Sequence, residues 1–287
     1  MRRSTIHRTL THGVAPVALA GLLVVPGLGR ASAARRATPM PEIAATAKNF
    51  ATVPAQIPAG MVRVTFTNDG GTWQGVGIAQ LKPGVGQTAF TAVLKTGDYD
   101  KLDPLAVPYG GAGAGRGATE TVVATLPAGR YALFDTEQGP KGKTHYIAKY
   151  FSVSGTAMGG AAAPNTTAAI TLKDMKFDAP STLSAGTHTI KIYNAGPSEH
   201  MMVTAKIAKG KTYQDILAYL KQGPNAKGQP PIDPTSFGGL NTMGPGQTAY
   251  LTQTFTPGTY VMLCFVTDAK KHIPHVAEGM VSKITVS

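Results

Sequence analysis

One cysteine occurs in the 287 residues, Cys264, and it closes the apolar run Gly258-Thr259-Tyr260-Val261-Met262-Leu263. Two other segments carry side chains of related chemistry. Asn194-Ala195-Gly196-Pro197-Ser198-Glu199-His200 ends a strand-like run with a turn and a histidine. His275-Val276-Ala277-Glu278-Gly279-Met280 leads a histidine and a methionine into the last apolar stretch. Thiol, imidazole and thioether are the groups that ligate soft and borderline metal ions. Each also has a plainer use. A lone cysteine packs as a small hydrophobe, a loop histidine hydrogen-bonds, and a methionine beside a strand fills core. Met201 and Met202 read as strand residues, His188 as structural or solvent-facing, and Lys270-Lys271 as a solvated loop tip.

What surrounds these residues limits the choice. Arg2, Arg3 and Arg8 precede an apolar stretch from Val14 to Leu28, and Ala31-Ser32-Ala33 is the small-x-small pattern of signal cleavage. Residues 1–33 are therefore expected to be a removed signal peptide, with the mature chain secreted or periplasmic. The apolar run is too short and too rich in Pro and Gly to span a bilayer, so no integral membrane span is expected after cleavage. Cleavage removes Arg2, Arg3, Arg8 and Arg30 and no acid, which takes the net charge of +12 down by four, to +8. Such a charge favours an acidic partner. The basic residues are scattered, with no Arg-rich stripe and no interleaved aromatics, which argues against nucleic acid. Outside the cytoplasm cysteines usually pair; a single one calls for burial, an intermolecular bridge or a metal.

The elements that must position these groups read as short strands. Met61-Val62-Arg63-Val64-Thr65-Phe66 and Thr189-Ile190-Lys191-Ile192-Tyr193 alternate apolar and polar residues, and each precedes an Asn-x-Gly turn. Val122–Leu126 and Tyr250–Phe255 read likewise. Thr212 can cap a helix over Tyr213–Leu220, with Asp215 completing a capping box, and Thr88 precedes a weaker helical run, Phe90–Leu94. Residues 156–169, rich in Gly, Ala and Thr, read as a flexible linker between a domain at 40–155 and one at 170–287. The halves repeat. Ala59–Asn68 aligns with Ala185–Asn194, and Pro127-Ala128-Gly129-Arg130-Tyr131 with Pro257-Gly258-Thr259-Tyr260 after a one-residue gap. Short strands between Gly and Pro turns point to an all-β sandwich class.

At the three segments above, the second half resembles the cupredoxins, the plastocyanin- and azurin-like type 1 copper proteins. The resemblance covers most of 170–287, with a degenerate copy over about 40–155. It implies two tandem cupredoxin-like Greek-key β-sandwiches, each with a short helical insertion. It also implies one type 1 copper in the second domain, held by His200, Cys264, His275 and Met280. A trigonal His2Cys set with a distant thioether is the arrangement that stabilises both copper oxidation states. One departure stands out: Cys264 and His275 enclose ten residues, where the family has a few, and His272 offers an alternative ligand. Carried back to the first half, His200 aligns with Gln74, Cys264 with Asp135, His275 with His145 and Met280 with Tyr150, so the first domain is expected to be metal-free.

Three functions follow. The first is an exported copper-binding electron carrier or copper holder, docking an acidic redox or copper-exchange partner through Ile273, Pro274 and Val276. The second is a metal-free recognition module in which Cys264 is buried filler. The third is a multicopper enzyme, which needs many additional histidines, usually as His-x-His pairs. The mature chain has only His145, His188, His200, His272 and His275 and no such pair, so a non-enzyme is expected.

Overall fold

The computed structural model describes residues 39–50, 52–138, 144–155, 161–223 and 226–287. The expected signal peptide, and residues 156–160 of the expected linker, lie outside them. The first half contributes β1 (Glu42–Thr46), β2 (Gln56–Pro58), β3 (Gly60–Thr67), β4 (Trp73–Gly75), β5 (Gly77–Leu81), α1 (Gln87–Leu94), β6 (Ala106–Pro108), β7 (Ala112–Gly115), β8 (Thr119–Leu126), β9 (Gly129–Gln138) and β10 (Thr144–Ser154). The second contributes β11 (Ala168–Lys173), β12 (Lys176–Asp178), β13 (Thr182–Leu183), β14 (Gly186–Asn194), β15 (His200–Lys206), α2 (Tyr213–Leu220), β16 (Gly238–Met243), β17 (Thr248–Phe255), β18 (Gly258–Leu263) and β19 (Val281–Val286). The class is all-β sandwich, as the alternating runs predict.

Period-two burial explains the strands. In β3 the side chains of Val62, Val64 and Phe66 are wholly buried while their neighbours are not. In β14, Ile190 and Ile192 point inward while Lys191 and Tyr193 are exposed. Burying each aliphatic side chain of this kind contributes about 1.5–3 kcal/mol. His188, on the same inward face of β14, is satisfied by Thr167 Oγ1 at 2.9 Å and the Ser184 carbonyl at 2.8 Å, a structural role. The helix α2 starts where its capping box predicts. Thr212 accepts from the Asp215 amide at 3.2 Å, and Asp215 accepts from the Thr212 amide at 2.7 Å. The helix α1 opens after Gly86 with no side-chain cap, one residue ahead of Thr88.

The sheets do not stop at the boundary between the halves. β8 pairs antiparallel with β17, Val122 opposite Leu251, which joins β1-β3-β8 to β17-β14-β11-β12 in one seven-stranded sheet. β16 pairs with β7, Leu240 opposite Ala112, which extends β13-β19-β18-β15-β16 through β7 to β4. The remaining sheet, β2-β10-β9-β5-β6, belongs to the first half alone. One apolar core accordingly runs from Ile43 and Phe66 through Leu251 to Ile284. Main-chain hydrogen bonds, and not only the stretch between β10 and β11, fix where the second half stands.

Two polar devices occur in both halves. Asn68 and Asn194, each fully buried, accept from the amide two residues on, at 2.9 and 3.1 Å. Both also donate to a nearby turn carbonyl and across to a strand of another sheet, at Ala114 in β7 and Met243 in β16. Tyr131 donates to the Pro127 carbonyl at 2.8 Å, and Tyr260 accepts from the Thr256 amide at 3.1 Å, four residues back in each case. Each pins the turn leading into its strand. The turn that ends in His200 is thus fixed by a wholly buried side chain.

Candidate metal centre

The pairing of β15 with β18 sets the site. Val203 lies opposite Leu263, and because the strands run antiparallel, the start of β15 stands beside the end of β18. His200 opens the first and Cys264 follows the second. On the other flank β19 pairs with β18, Leu263 opposite Val281, so that the residue before β19, Met280, stands beside Cys264. The Cys264 amide donates to the Met280 carbonyl at 3.3 Å, and the Met201 amide donates to Cys264 Sγ at 3.5 Å. Cysteine and methionine are both wholly buried.

The ten-residue excursion after Cys264 is a hairpin. The Val276 amide donates to the Cys264 carbonyl and the His275 amide to the Val266 carbonyl, both at 2.8 Å. Thr267 and Pro274 form an isolated bridge, and the Asp268 amide donates to the Ile273 carbonyl at 2.8 Å. The tip is closed by Asp268, whose Oδ1 accepts from the amides of Lys270 and Lys271 at 2.8 and 2.7 Å. His272 takes the left-handed conformation there, φ 56°, and is exposed. The extra residues therefore project outward, and the returning arm delivers His275 to the cysteine. Loop closure over so short an insertion adds little entropy cost; the ladder supplies the geometry.

Three donor atoms converge. His200 Nδ1 and His275 Nδ1 are 3.2 Å apart, and Cys264 Sγ lies 3.9 Å from the first and 3.6 Å from the second. A triangle with those sides has its centre about 2.1 Å from each corner. Metal–imidazole bonds of about 2.0–2.1 Å and metal–thiolate bonds of about 2.3 Å are what such a centre accommodates, the values being those of zinc. His200, Cys264 and His275 are at most 1% exposed, so water competes poorly for the position. Among the described residues this is the one such grouping of His, Cys, Asp and Glu. The donor set and its spacing fit a copper ion, and the same atoms suit zinc in size.

Electrostatics prepare the imidazoles and resist the thiolate. Burial holds both histidines below the usual range, so they are neutral near pH 7 and their ring nitrogens are free to ligate. Burial also pushes the Cys264 thiol up to about 11. A bound cation is what would offset that cost, since a coordinating thiol is deprotonated by the metal. On its far side His200 Nε2 sits 3.1 Å from Asp174 Oδ1. Asp174 is itself placed by the two-residue turn between β11 and β12, where Met175 adopts φ 57°, and by Ser198 Oγ, which donates to its Oδ2 at 3.1 Å. With Nε2 committed to the carboxylate, the Nδ1 lone pair faces the other two donors, the usual outer-shell arrangement for a metal-bound histidine. The geometry is close. A Cβ on Gly196 would stand 2.5 Å from Asp174 Oδ1 and 2.9 Å from His200 Nε2.

The structure brings three of the four sequence-named residues to one point, sets Met280 next to Cys264, and leaves His272 outside. Asp174 went unnoticed in the sequence; the only local sign is a polar turn between two strands. The expected docking ring is altered. Ile273 is 40% exposed, but Val276 is buried against Val203 and Val261, and Phe265, 45% exposed, stands at the surface instead. In the first half, Gln74 and Asp135 are buried, Gln74 Oε1 accepts from the Gly71 amide, and the Tyr150 hydroxyl bonds Thr91 and the Gln87 carbonyl. No helix among the described residues is long and apolar enough to cross a membrane.

No protein-family model matches the chain, and no curated protein matches it. Solved structures do. The chain is similar to a dithionite-reduced auracyanin from the photosynthetic bacterium Roseiflexus castenholzii, at 25% identity and TM-score 0.30, covering 44% of this chain and 99% of that one. It is similar to auracyanin A, a "blue" copper protein from Chloroflexus aurantiacus, at 22% identity and TM-score 0.25, covering 42% and 99%. Over a longer span it is similar to a blue copper oxidase from Nitrosomonas europaea, at 13% identity and TM-score 0.23, covering 86% and 76%.

Proposed function

We propose that this chain is an exported copper protein that binds one type 1 copper through His200, Cys264 and His275, with Met280 as the axial neighbour, and that it carries or holds copper without catalysing a reaction. The observation that carries the reading is the convergence of one thiol and two imidazole Nδ1 atoms on a buried point equidistant from all three. Copper bound there would supply a one-electron couple. The chain's own part is to keep the donors still. His200 is braced by Asp174, Cys264 is anchored between β15 and β19, and His275 is fixed by the hairpin ladder, so little rearrangement accompanies a change of charge. Burial of all three donor residues, at most 1% exposed, keeps water away. Phe265 and Ile273 form an apolar surface beside the site, and the positive net charge would speed encounter with an acidic partner.

We further propose that the halves are copies of one ancestral sandwich and that the first has lost its metal. The paired asparagine and tyrosine devices support the duplication, and Gln74, Asp135 and Tyr150 at the aligned positions support the loss. Five histidines in the mature sequence, without a His-x-His pair, support a non-enzyme.

The test is titration of the reduced, metal-free protein with Cu(II), recording visible absorption and electron paramagnetic resonance. One equivalent bound with an intense thiolate absorption, lost in Cys264→Ser and in His200→Ala, is the expected result. Colourless or non-stoichiometric uptake would overturn the proposal and leave a metal-free recognition scaffold, and tight binding of zinc alone would make the site structural.

A further inference from the structure

A cavity of about 410 Å³ opens between the two halves, on the β15 side of the metal centre. Its volume lies in the range of small-molecule sites. The first half supplies one wall, with Trp73, Phe134 and the buried Ile78, and Tyr99 stands at the mouth, 48% exposed. The second half supplies Met201 and Phe265. Tyr99 and Phe134 lie 6.3 Å apart, ring centre to ring centre, so the first-half wall presents two tilted aromatic faces.

The charged groups at this cavity are of one sign. Asp100, Asp103 and Asp135 come from the first half, Glu199 from the second, and no lysine or arginine is among the described residues that line it. Burial raises the Asp103 carboxyl, and the neighbouring charge of Asp100 adds to the rise. Lys82 offsets part of this and donates to the main-chain carbonyl of Asp103 at 2.5 Å. Aromatic faces and crowded carboxylates share one preference: both attract a positive charge, and the apolar walls reward an organic body attached to it. The protein as a whole is strongly basic, so an acidic pocket here runs against its general field.

We propose that this cavity is a binding site for a small organic cation, an ammonium group on an aromatic or alkyl body. The ammonium lies among Asp100, Asp103 and Glu199, and the body rests against Trp73, Phe134 and Phe265. The occupant also touches Met201, whose amide faces Cys264 Sγ, so the site adjoins the donor set without including any of its members. The inference does not depend on copper.

Trp73 is the only tryptophan in the chain and lines the cavity, so its fluorescence reports occupancy directly. The metal-free protein is titrated with phenethylammonium and with its neutral and anionic counterparts, phenethyl alcohol and phenylacetate. A saturable change with the ammonium is expected, with the alcohol at least about tenfold weaker and the carboxylate weaker still, and with the preference shrinking as salt rises. Asp103→Asn should weaken the ammonium by up to about fivefold, as for one partly exposed charge, and leave the alcohol unchanged. Phe265→Ala, at the exposed mouth, should weaken both. Equal binding of ammonium and alcohol would overturn the cation assignment. No saturable response to any of the three would overturn the site.

Discussion

His200 is held from both ends. Its Nε2 lies 3.1 Å from Asp174 Oδ1, and its Nδ1 lies 3.2 Å from His275 Nδ1. The carboxylate therefore fixes both the tautomer and the ring plane. Asp174→Ala should weaken copper binding roughly tenfold to a hundredfold, as outer-shell losses do, while leaving the strands intact. Asp174→Asn keeps an acceptor and should lose less. Affinities measured against a chelator would decide the matter; parent-like binding in the alanine variant would show that packing alone orients the ring.

Proton release should accompany metal binding. Burial raises the Cys264 thiol to about 11 and keeps both histidines neutral near pH 7. From about neutrality upward to that value, one proton leaves for each ion bound, so apparent affinity should rise about tenfold per pH unit. At lower pH, protonation of the histidines steepens the dependence. Calorimetry in buffers of different ionisation enthalpy counts the proton. A flat profile between pH 7 and 9 would mean the thiol is already ionised before the metal arrives.

How far the sequence discloses this arrangement depends on the range of the interaction. β3, β14 and α2 are local: alternation writes the two strands, and Thr212 with Asp215 writes the helix start. His200, Cys264 and His275 are visible through residue type and order. The partner of His200 is not, because Asp174 is twenty-six residues away in a turn whose function appears only when β11 pairs with β14. Pairing of β8 with β17 is equally hidden, since alternation says which face is apolar and nothing about which edge meets which. The hairpin after Cys264 lacks a tight-turn dipeptide, and its tip is made by the Asp268 side chain instead.

That tip gives a third expectation. Asp268→Ala removes the acceptor for the amides of Lys270 and Lys271 while leaving the donor set untouched. The hairpin arm that carries His275 should then fray, and copper should dissociate several-fold faster, with little change in the absorption maximum. Stopped-flow transfer to a chelator measures the rate. An unchanged rate would place the control of His275 in the ladder near Val276 alone.

Glu120 carries the last prediction, and it concerns the fold. The residue is 5% exposed at the start of β8, and its Oε2 has no hydrogen-bond partner. Together with Gln253 Nε2, its Oε1 crowds the space over Gly238, where even a Cβ would collide. Burial pushes its carboxyl from the ordinary 4.5 up to about 9. The folded protein thus keeps a proton that the unfolded chain releases above about 4.5. In that window the unfolded state binds fewer protons, so stability falls as pH rises, by at most about 1.4 kcal/mol per unit. Glu120→Gln has the same shape and does not titrate. Its stability relative to the parent should therefore grow with each pH unit between about 5 and 9 and level off beyond. Urea unfolding of both proteins across that range measures the gap directly. A constant gap would mean that the carboxylate finds solvation in the interior and that the junction between the halves tolerates charge.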